Sequence, residues 1–391
     1  MQKVSDCQRR ARLAVRHGIA TPVGSVAHAV DAMTCLHATE PASVYLSAFA
    51  RTGASREDIA VALYEARDVV KQLAMRRTLF AFPRDLLPAV WGSASGRVAA
   101  QLGTRLAKEV QSNGLADDGT AWVRRMSQAV VRCLGEAGPS TTAELREHLP
   151  ELGLRLELNP GKHYGGSFPV APRLLSTLGA SGRILRGANA GDWRTSRPRW
   201  NLTEEWLGEP VRVEESSVGY LRLVESWLRT FGPGTEADLV WWLGATKGVV
   251  RKALAELGAV EVAVNGGVGH LLPDDVDEVP GPEPWAALLP VLDPTVMGWK
   301  QRDFYLAEAD VPHLFDTNGN AGTTAWWNGQ VVGCWVQDPD GVVSVVLRHD
   351  IGADGVRALE EEARHLTTWL EGQRVGTVYA SALMKSGPQS G

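Results

Sequence analysis

Apolar residues recur at helical spacing through most of the first 135 residues. The segments PVGSVAHAVDAMTCL and PASVYLSAFART place apolar residues three and four positions apart, which is the spacing of one helix face. Ser55 precedes REDIAVALYEARDVVKQLAM, whose first turn is acidic, so Ser55 is the expected N-cap of a helix. The short apolar run RTLFAF ends at Pro83 and favours a strand. The pattern predicts a mainly helical unit over residues 1–118.

An internal repeat follows this unit. AWVRRMSQAVVRCLGEAGPSTTAELREHL resembles YLRLVESWLRTFGPGTEADLVWWL, and both contain Gly-Pro-x-Thr-x-Ala-acid-Leu, at residues 138–145 and 232–239. In each copy a Gly-Pro turn ends a helix, a capping residue opens a short helix, another helix follows, and two short β runs close the copy. Three helices followed by a β-hairpin is the plan of a winged helix. We therefore predict winged helices over residues 119–210 and 211–272.

The hydrophobic pattern changes after the acidic, proline-rich segment PDDVDEVPGPEP. Asn-Gly and Asp-Gly pairs separate alternating apolar runs in TTAWWNGQVVGCWVQDPDGVVSVVLR, which is typical of β-hairpins. The segment GADGVRALEEEARHLTTWLEG has helical spacing, and VGTVYASAL favours a strand. These segments predict a β-rich α+β domain over residues 285–384, with a disordered tail over residues 385–391.

Charge is unevenly distributed along the chain, whose formal net charge is −5. Residues 161–200 contain seven Lys or Arg and one Asp, a net of +6, whereas residues 273–284 contain five acids and no base. The basic window covers the last helix and the wing of the first repeat copy, and winged helices present these elements to DNA. The alternatives are a solvated surface and a winged helix that serves only as protein scaffold.

Several classes of protein lose support because their motifs are absent from the sequence. The four cysteines are far apart without CxxC spacing, and there is no Walker loop, GxSxG, HExxH or strand-linked GxGxxG. No apolar run approaches the roughly 18 to 20 residues that span a bilayer, and the N-terminus lacks the apolar core of a signal peptide. We therefore expect a cytoplasmic protein without a membrane, metal or cofactor, whose chemistry uses side chains and water.

Five blocks in order carry a family resemblance. They are CLHATEPASVYLSAFAR, VVKQLAMRRTLFAFP, GRILRGANAGDWRTSRPRW, GPGTEADLVWWLG and LLPVLDPTVMGWKQRDFYL. In these blocks the chain, from about residue 9 to 380, resembles the winged-helix DNA glycosylase family typified by AlkZ and YcaQ. The resemblance implies an α+β fold of tandem winged helices with a C-terminal β-rich domain, arranged as a C-shaped, DNA-gripping monomer. Residues 1–118 are then a helical, winged-helix-like unit that carries the candidate catalytic motif.

The same resemblance implies an activity. Members of this family are monofunctional DNA glycosylases that excise alkylated bases, including bulky N7-alkylated purine adducts and crosslinks made by genotoxic natural products. Members in antibiotic producers can protect the host from its own toxin. The expected partner is double-stranded DNA carrying an alkylated purine. The alternative is a non-catalytic winged-helix protein that regulates transcription or sequesters adducts.

The resemblance also marks candidate catalytic residues. The family's Gln-apolar-Gln or Gln-apolar-Asp motif falls on His37-Ala38-Thr39, and its Met-Arg-Gly-Thr-Leu-His block falls on residues 75–80, with Arg77 for the glycine and Phe80 for the histidine. Local rules alone make Thr39 a helix N-cap before Glu40-Pro41, with His37 satisfying a helix-end carbonyl. The family register makes His37 and Thr39 the catalytic pair instead.

The chemistry of this pair suits hydrolysis at a sugar carbon. A neutral imidazole can accept a proton from a water molecule, and a threonine hydroxyl can orient that water. The candidate DNA-binding residues lie in the 75–80 block, the glycine-flanked loop at 161–166 and the basic window. They are Arg76, Arg77, Lys162, His163, Arg173, Arg183, Arg186, Arg194, Arg197 and Arg199.

Overall fold

The computed structural model describes residues 1–387, and the chain divides into two compact units. Unit 1 comprises Met1–Val69, Ala81–Pro83 and the chain from Leu221 onward, and unit 2 comprises Val70–Phe80 and Arg84–Tyr220. Helices and antiparallel sheets are mixed in the chain, in agreement with the coarse fold class expected. Of the tail predicted over residues 385–391, residues 388–391 lie outside the described residues, and Lys385 ends a short helix.

The first 118 residues form helices joined by short strands. The cap predicted at Ser55 is present as a capping box with Asp58. The strands form a three-stranded sheet in the order β1-β3-β2, and the division between the units runs through β2 and β3. The elements are α1 (Asp6–Arg16), α2 (Val26–Ala32), β1 (Leu36–His37), α3 (Pro41–Thr52), α4 (Arg56–Ala60), β2 (Val69–Leu73), β3 (Leu79–Pro83), α5 (Leu87–Val90) and α6 (Gly96–Ser112).

The first repeat copy lies in unit 2. It contains α7 (Gly119–Ala137), α8 (Thr142–His148), β4 (Arg155–Leu158), β5 (Gly166–Pro169), α9 (Ala171–Ala180), β6 (Ile184–Asn189), β7 (Pro198–Leu202) and α10 (Thr203–Leu207). Its core is mainly aliphatic, with Leu145, Leu174 and Ile184 fully buried, and it also contains Trp122 and Trp200. The β4–β5 hairpin between the second and third helices is an element that the hydrophobic pattern does not predict. Its tip is the glycine-flanked loop.

The second copy repeats the predicted order of elements. It contains α11 (Ser216–Phe231), β8 (Gly234–Thr235), α12 (Glu236–Leu243), α13 (Lys247–Glu256), β9 (Val260–Val264) and β10 (Gly267–Leu271). Both copies open the short helix in the same way, because Thr141 and Thr235 are N-caps whose hydroxyls accept from the backbone N–H of Glu144 and Asp238. The repeated sequence core therefore corresponds to a repeated capping box.

The C-terminal region contains the predicted hairpins. Its elements are β11 (Ala286–Leu289), α14 (Pro294–Met297), α15 (Val311–Leu314), β12 (Thr324–Trp327), β13 (Gln330–Gln337), β14 (Val343–Leu347), α16 (Gly352–Leu370) and α17 (Ala382–Lys385). The strands form an antiparallel sheet in the order β11-β12-β13-β14. Asn328 and Gly329 both have positive φ, at 49° and 81°, as a two-residue hairpin turn requires.

One strand prediction in this region is wrong. Residues 375–381 form no strand, and the only regular structure in the predicted run VGTVYASAL is the start of α17 at Ala382. The backbone here is held by side chains instead of a neighbouring strand. Gln337 accepts a hydrogen bond from the Val375 N–H, and Glu40 accepts one from the Val378 N–H. The alternating apolar residues of this segment therefore do not belong to a strand that pairs with a neighbour.

Candidate active site and nucleic-acid interface

The His37-Ala38-Thr39 segment leaves β1 and precedes α3. His37 is the last residue of β1 and is half-buried, Ala38 is buried, and Thr39 is exposed. Burial therefore alternates along the segment, with a buried apolar residue between two polar residues. The side chains of both residues predicted to be catalytic are at least partly exposed to solvent.

Thr39 is not the helix cap that local rules favour. The N-cap of α3 is Glu40, which makes no side-chain cap hydrogen bond, and Pro41 is the first helical residue. The Glu40 carboxylate instead accepts hydrogen bonds from the Thr377 hydroxyl and the Val378 N–H, both at 3.2 Å. Proline at the first helical position removes one of the N–H groups that have no partner within the helix. The Thr39 hydroxyl is thus not used in starting the helix.

The imidazole of His37 has a defined acceptor nitrogen. Its Nδ1 accepts a hydrogen bond from the Thr39 N–H at 3.4 Å. A nitrogen that accepts carries no proton, so the neutral ring in this arrangement has its proton on Nε2. Nδ1 therefore holds the lone pair and lies on the side of Thr39. At 3.4 Å the contact is long for a hydrogen bond, so a better donor can replace it at little cost.

Buried polar contacts hold the chain on both sides of this segment. Before it, Thr34 has a φ of 62°, and its hydroxyl lies 2.9 Å from that of Thr230. Ser226 also donates to Thr34, at 2.9 Å. After it, the Ser43 hydroxyl in the first turn of α3 donates to the Val291 carbonyl at 2.9 Å. The segment therefore lies between two fixed points.

A fully buried ion pair fixes α3 further along its length. Arg51 donates to both carboxylate oxygens of Asp293, at 2.8 and 2.9 Å, and both side chains are 0% exposed. The carboxylate also accepts from the Ser47 hydroxyl at 2.6 Å and from the Thr295 N–H at 2.9 Å. Burial acts to raise the pKa of Asp293, but Arg51 and these hydrogen bonds hold it below its ordinary value.

A neutral histidine completes this network. The Thr295 hydroxyl accepts from Arg51 at 2.8 Å and lies 3.0 Å from Nδ1 of His17. Nε2 of His17 lies 3.2 Å from the Thr230 carbonyl, whose residue also contacts Thr34. Burial, with the positive charge of Arg51, lowers the pKa of His17 to about 3. His17 is therefore an uncharged link between the two fixed points.

The turn between β2 and β3 carries two of the DNA-binding candidates. Arg76 and Arg77 are exposed, and both have left-handed backbone, with φ of 53° and 62°. Glycine adopts such angles without strain, whereas an arginine does so at a cost. The family block has glycine at the position of Arg77, and glycine would adopt the left-handed backbone of this turn without strain. Phe80, in place of the family's histidine, is 5% exposed in β3 and packs in the interior.

The remaining candidates lie in the β4–β5 tip, in α9 and around the β6–β7 hairpin. Lys162, His163, Arg183 and Arg197 are exposed, and Arg186 lies over the Trp200 ring at 5.2 Å. Three others pair with acids that sequence reasoning did not associate with them, so their charge is locally compensated. These pairs are Arg173 with Glu109 (2.9 Å), Arg194 with Asp192 (2.7 Å) and Arg199 with Glu144 (3.0 Å).

Sequence reasoning missed one cation in unit 2. Lys71 lies in the middle of β2, is 8% exposed, and lines a small cavity with Arg186. Burial, with the positive charge of Arg186, lowers the pKa of Lys71 to about 7. The sequence feature that could have indicated Lys71 is its position inside the strand-like run VVKQL. A buried strand normally has apolar residues at such positions.

Among residues 1–387, no group of three or more His, Cys, Asp or Glu side chains has the geometry of a metal site. Across these residues, no helix has both the length and the apolar character that a membrane crossing requires.

Comparison with known proteins gives a family and similar solved structures. The model of a family described as "DNA glycosylase AlkZ-like" matches residues 30–369. Among solved structures, the Streptomyces sahachiroi DNA glycosylase AlkZ is similar with a TM-score of 0.74 and 20% identity, over 95% of this chain and 98% of that chain. The search of curated proteins gives no match. Because the family model spans most of the sequence, this chain belongs to the AlkZ-like family of DNA glycosylases.

Proposed function

We propose that this protein hydrolyses the N-glycosidic bond of bulky N7-alkylated purines in double-stranded DNA, with His37 and Thr39 as its catalytic pair. One observation carries the proposal: His37 and Thr39 are both at least partly exposed in a segment that buried contacts hold on both sides, and Glu40 rather than Thr39 is the N-cap of α3. Two exposed polar groups two residues apart, neither used as the N-cap, suit the handling of a water molecule.

The bond to be broken sets what these residues have to do. Cleavage of a glycosidic bond passes through a state with oxocarbenium character. An N7-alkylated purine is already cationic and leaves as a neutral base, so it needs no general acid. The protein has to position a water at the anomeric carbon, accept its proton and avoid placing positive charge beside the sugar.

His37 and Thr39 divide these roles. In this proposal a water donates to Nδ1 of His37 in place of the long contact from the Thr39 N–H, and it makes a second hydrogen bond with the Thr39 hydroxyl. His37 then accepts the proton at Nδ1, and Thr39 orients the water. Positioned acid-base catalysis of this kind is worth about 10²- to 10⁴-fold in rate. Since water is the nucleophile, the reaction is monofunctional and leaves an abasic site.

The helical modules supply the DNA interface in this proposal. The two repeat copies act as winged helices, and the exposed cations of unit 2 contact phosphate. We assign these contacts to Arg77, Lys162, Arg183 and Arg197, which are exposed. Arg173, Arg194 and Arg199 contribute less, because each already has a carboxylate partner. The proposed biological role is base excision repair, with self-resistance to a DNA-alkylating natural product, by a monomer.

The test is release of the modified base from a defined substrate. Purified protein is incubated with duplex DNA carrying one N7-alkylguanine, and the released base and alkali-labile abasic sites are measured. We expect release by the wild type and its loss in His37→Ala and Thr39→Ala. His28→Ala is the matched control, because His28 is an exposed histidine on α2 and is not part of residues 37–39. It should retain the wild-type rate.

The alternative is a DNA-binding protein without catalysis. It is favoured by the replacement of both polar residues of the family motif by His37 and Thr39. Specific binding of the adducted duplex by the wild type, with no base released, would establish this alternative. Borohydride trapping of a covalent protein–DNA species would instead contradict the monofunctional assignment.

A further inference from the structure

A strained threonine lies three residues before His37. Thr34 is fully buried and has left-handed backbone, with a φ of 62°. Left-handed backbone is uncommon outside glycine, and for a β-branched residue it is an outlier, because the side chain crowds the backbone. Such strain persists only where the surroundings impose it, and it is concentrated at functional sites. The conformation of Thr34 therefore has to be explained by the residues around it.

A directed chain of hydroxyl groups gives that explanation. The Thr230 hydroxyl donates to the Ala32 carbonyl at 2.9 Å. Because a hydroxyl has one proton to donate, the Thr230 oxygen accepts from the Thr34 hydroxyl, which lies 2.9 Å away. Ser226 in turn donates to the Thr34 oxygen at 2.9 Å. Thr34 thus uses its hydroxyl both as donor and as acceptor, and its loss would break the chain in the middle.

The hydroxyl chain attaches the end of α2 to one side of α11. Ser226 and Thr230 are four residues apart on α11, so their side chains are neighbours on the same side of that helix. The Thr34 N–H donates to the Asp31 carbonyl at 2.9 Å, which closes the turn after α2. The turn is therefore held by α11 as well as by its own backbone.

The turn at Thr34 sets the direction in which the chain enters β1. Thr34, Cys35 and Leu36 are each at most 1% exposed, and close-packed interiors transmit displacements. Three residues span at most about 11 Å, so His37 lies close to the turn. A shift of the turn should therefore move the His37 side chain. A misplacement of about 1 Å can cost an active site about 10²-fold in rate.

We propose that Thr34 is a positioning residue for His37, and that its hydroxyl chain holds the imidazole in the place from which it accepts a proton from water. The catalytic part of this inference rests on the proposed function, whereas the position of the ring concerns the protein without DNA. Glycine would supply the left-handed angle without strain. The backbone angle alone therefore does not account for a threonine at this position.

Three substitutions separate the hydroxyl from the backbone angle. Thr34→Gly keeps the angle and breaks the chain, whereas Thr34→Ser keeps the hydroxyl. Thr230→Val removes the acceptor of the Thr34 hydroxyl and leaves Thr34 itself intact, so it also covers the case in which Thr34→Gly does not fold. Thr323→Val is the matched control, because it removes another buried threonine hydroxyl, which donates to the Trp335 carbonyl.

The first readout is the single-turnover rate of base release from duplex DNA carrying an N7-alkylguanine, measured beside the affinity for the same DNA. We expect Thr34→Gly and Thr230→Val to lower the rate by about ten- to hundredfold without weakening binding. Thr34→Ser and Thr323→Val should stay within about threefold of the wild-type rate, because neither breaks the chain. Wild-type rates in both Thr34→Gly and Thr230→Val would overturn the proposal.

The second readout is the nuclear magnetic resonance spectrum of histidine-labelled protein without DNA. The ring signal of His37 is identified by its loss in His37→Ala. We expect this signal to shift and broaden in Thr34→Gly and Thr230→Val, and to keep its wild-type position in Thr34→Ser and Thr323→Val. A rate that falls while the His37 signal stays in place would overturn the proposal, because Thr34 would then act by another route. If the wild type releases no base, the proposed function fails, and the His37 signal still decides whether Thr34 positions the ring.

Discussion

Replacing Asp293 by asparagine leaves the buried guanidinium of Arg51 without its counter-charge. Both side chains are 0% exposed, and the carboxylate accepts two hydrogen bonds from Arg51, one from Ser47 and one from the Thr295 N–H. Removing one partner of a buried ion pair costs about 3–5 kcal/mol. Asparagine keeps the shape and one acceptor oxygen, so we expect the free energy of unfolding to fall by about 3 kcal/mol.

A double substitution separates the ion pair from general disruption. Arg51→Met alone leaves Asp293 charged and buried, and it should be as harmful as Asp293→Asn. The combined variant removes both charges, so it should be more stable than the sum of the two losses predicts. The assay is equilibrium urea unfolding at pH 7, followed by tryptophan fluorescence. Additive losses, or a loss below about 1 kcal/mol in Asp293→Asn, would refute this reasoning.

The direction in which the stabilisation by this ion pair changes with pH follows from the pKa shift of Asp293. The pKa of Asp293 in the folded protein is below its ordinary value, whereas an unfolded aspartate titrates near ~3.9. The stabilisation is therefore fully present above about pH 4–5 and is lost as the pH falls through the folded pKa. The difference in stability between wild type and Asp293→Asn should stay constant from pH 5 to 8 and shrink below pH 4. A difference that grows on acidification would contradict the assignment.

Three further substitutions have defined outcomes. Arg77→Gly relieves left-handed backbone strain of about 1–2 kcal/mol, but glycine also gives the unfolded chain more conformational freedom. Thermal unfolding should therefore show a net gain in folding stability of about 0.5–1 kcal/mol, while DNA affinity falls. Lys71→Met should raise stability at pH 7 by at most about 5 kcal/mol, because the wild-type pKa drops from 10.5 to about 7, and urea unfolding should show this gain vanishing as the pH approaches 10.5. Removing Arg197 should flatten the salt dependence of DNA affinity by about 0.9, whereas removing Arg194, already paired with Asp192, should change it much less.

Much of the local structure followed from short-range rules. The Gly-Pro-x-Thr cores mark capping boxes at Thr141 and Thr235, and Asn328-Gly329 marks a hairpin, because these features depend on a few adjacent residues. The local rules failed where contacts with residues far along the chain determine the local structure. Thr39 looked like a cap, yet Glu40 takes that position, and its carboxylate binds residues 377–378. The strand predicted over residues 375–383 is absent for the same reason.

The family register directs attention to residues 37–39, but the electrostatics around the candidate residues could not be predicted from the sequence. No sequence rule associates Arg173 with Glu109, which lies 64 residues away, so the paired cations could not be separated from the exposed ones. Lys71 was missed because its environment comes from β6 and α9, elements more than 100 residues further along the chain.

The single-turnover rate of base release, measured against pH, tests the central claim most directly. With duplex DNA carrying an N7-alkylguanine and protein in excess, His37→Ala should be slower than wild type by about 10²- to 10⁴-fold, while both bind the DNA equally well. The wild-type rate should fall toward acid pH, because a protonated His37 cannot accept a proton from water and repels the developing charge on the sugar. A His37→Ala variant within threefold of the wild-type rate, or a wild-type rate that stays flat or rises as the solution is acidified, would contradict the account.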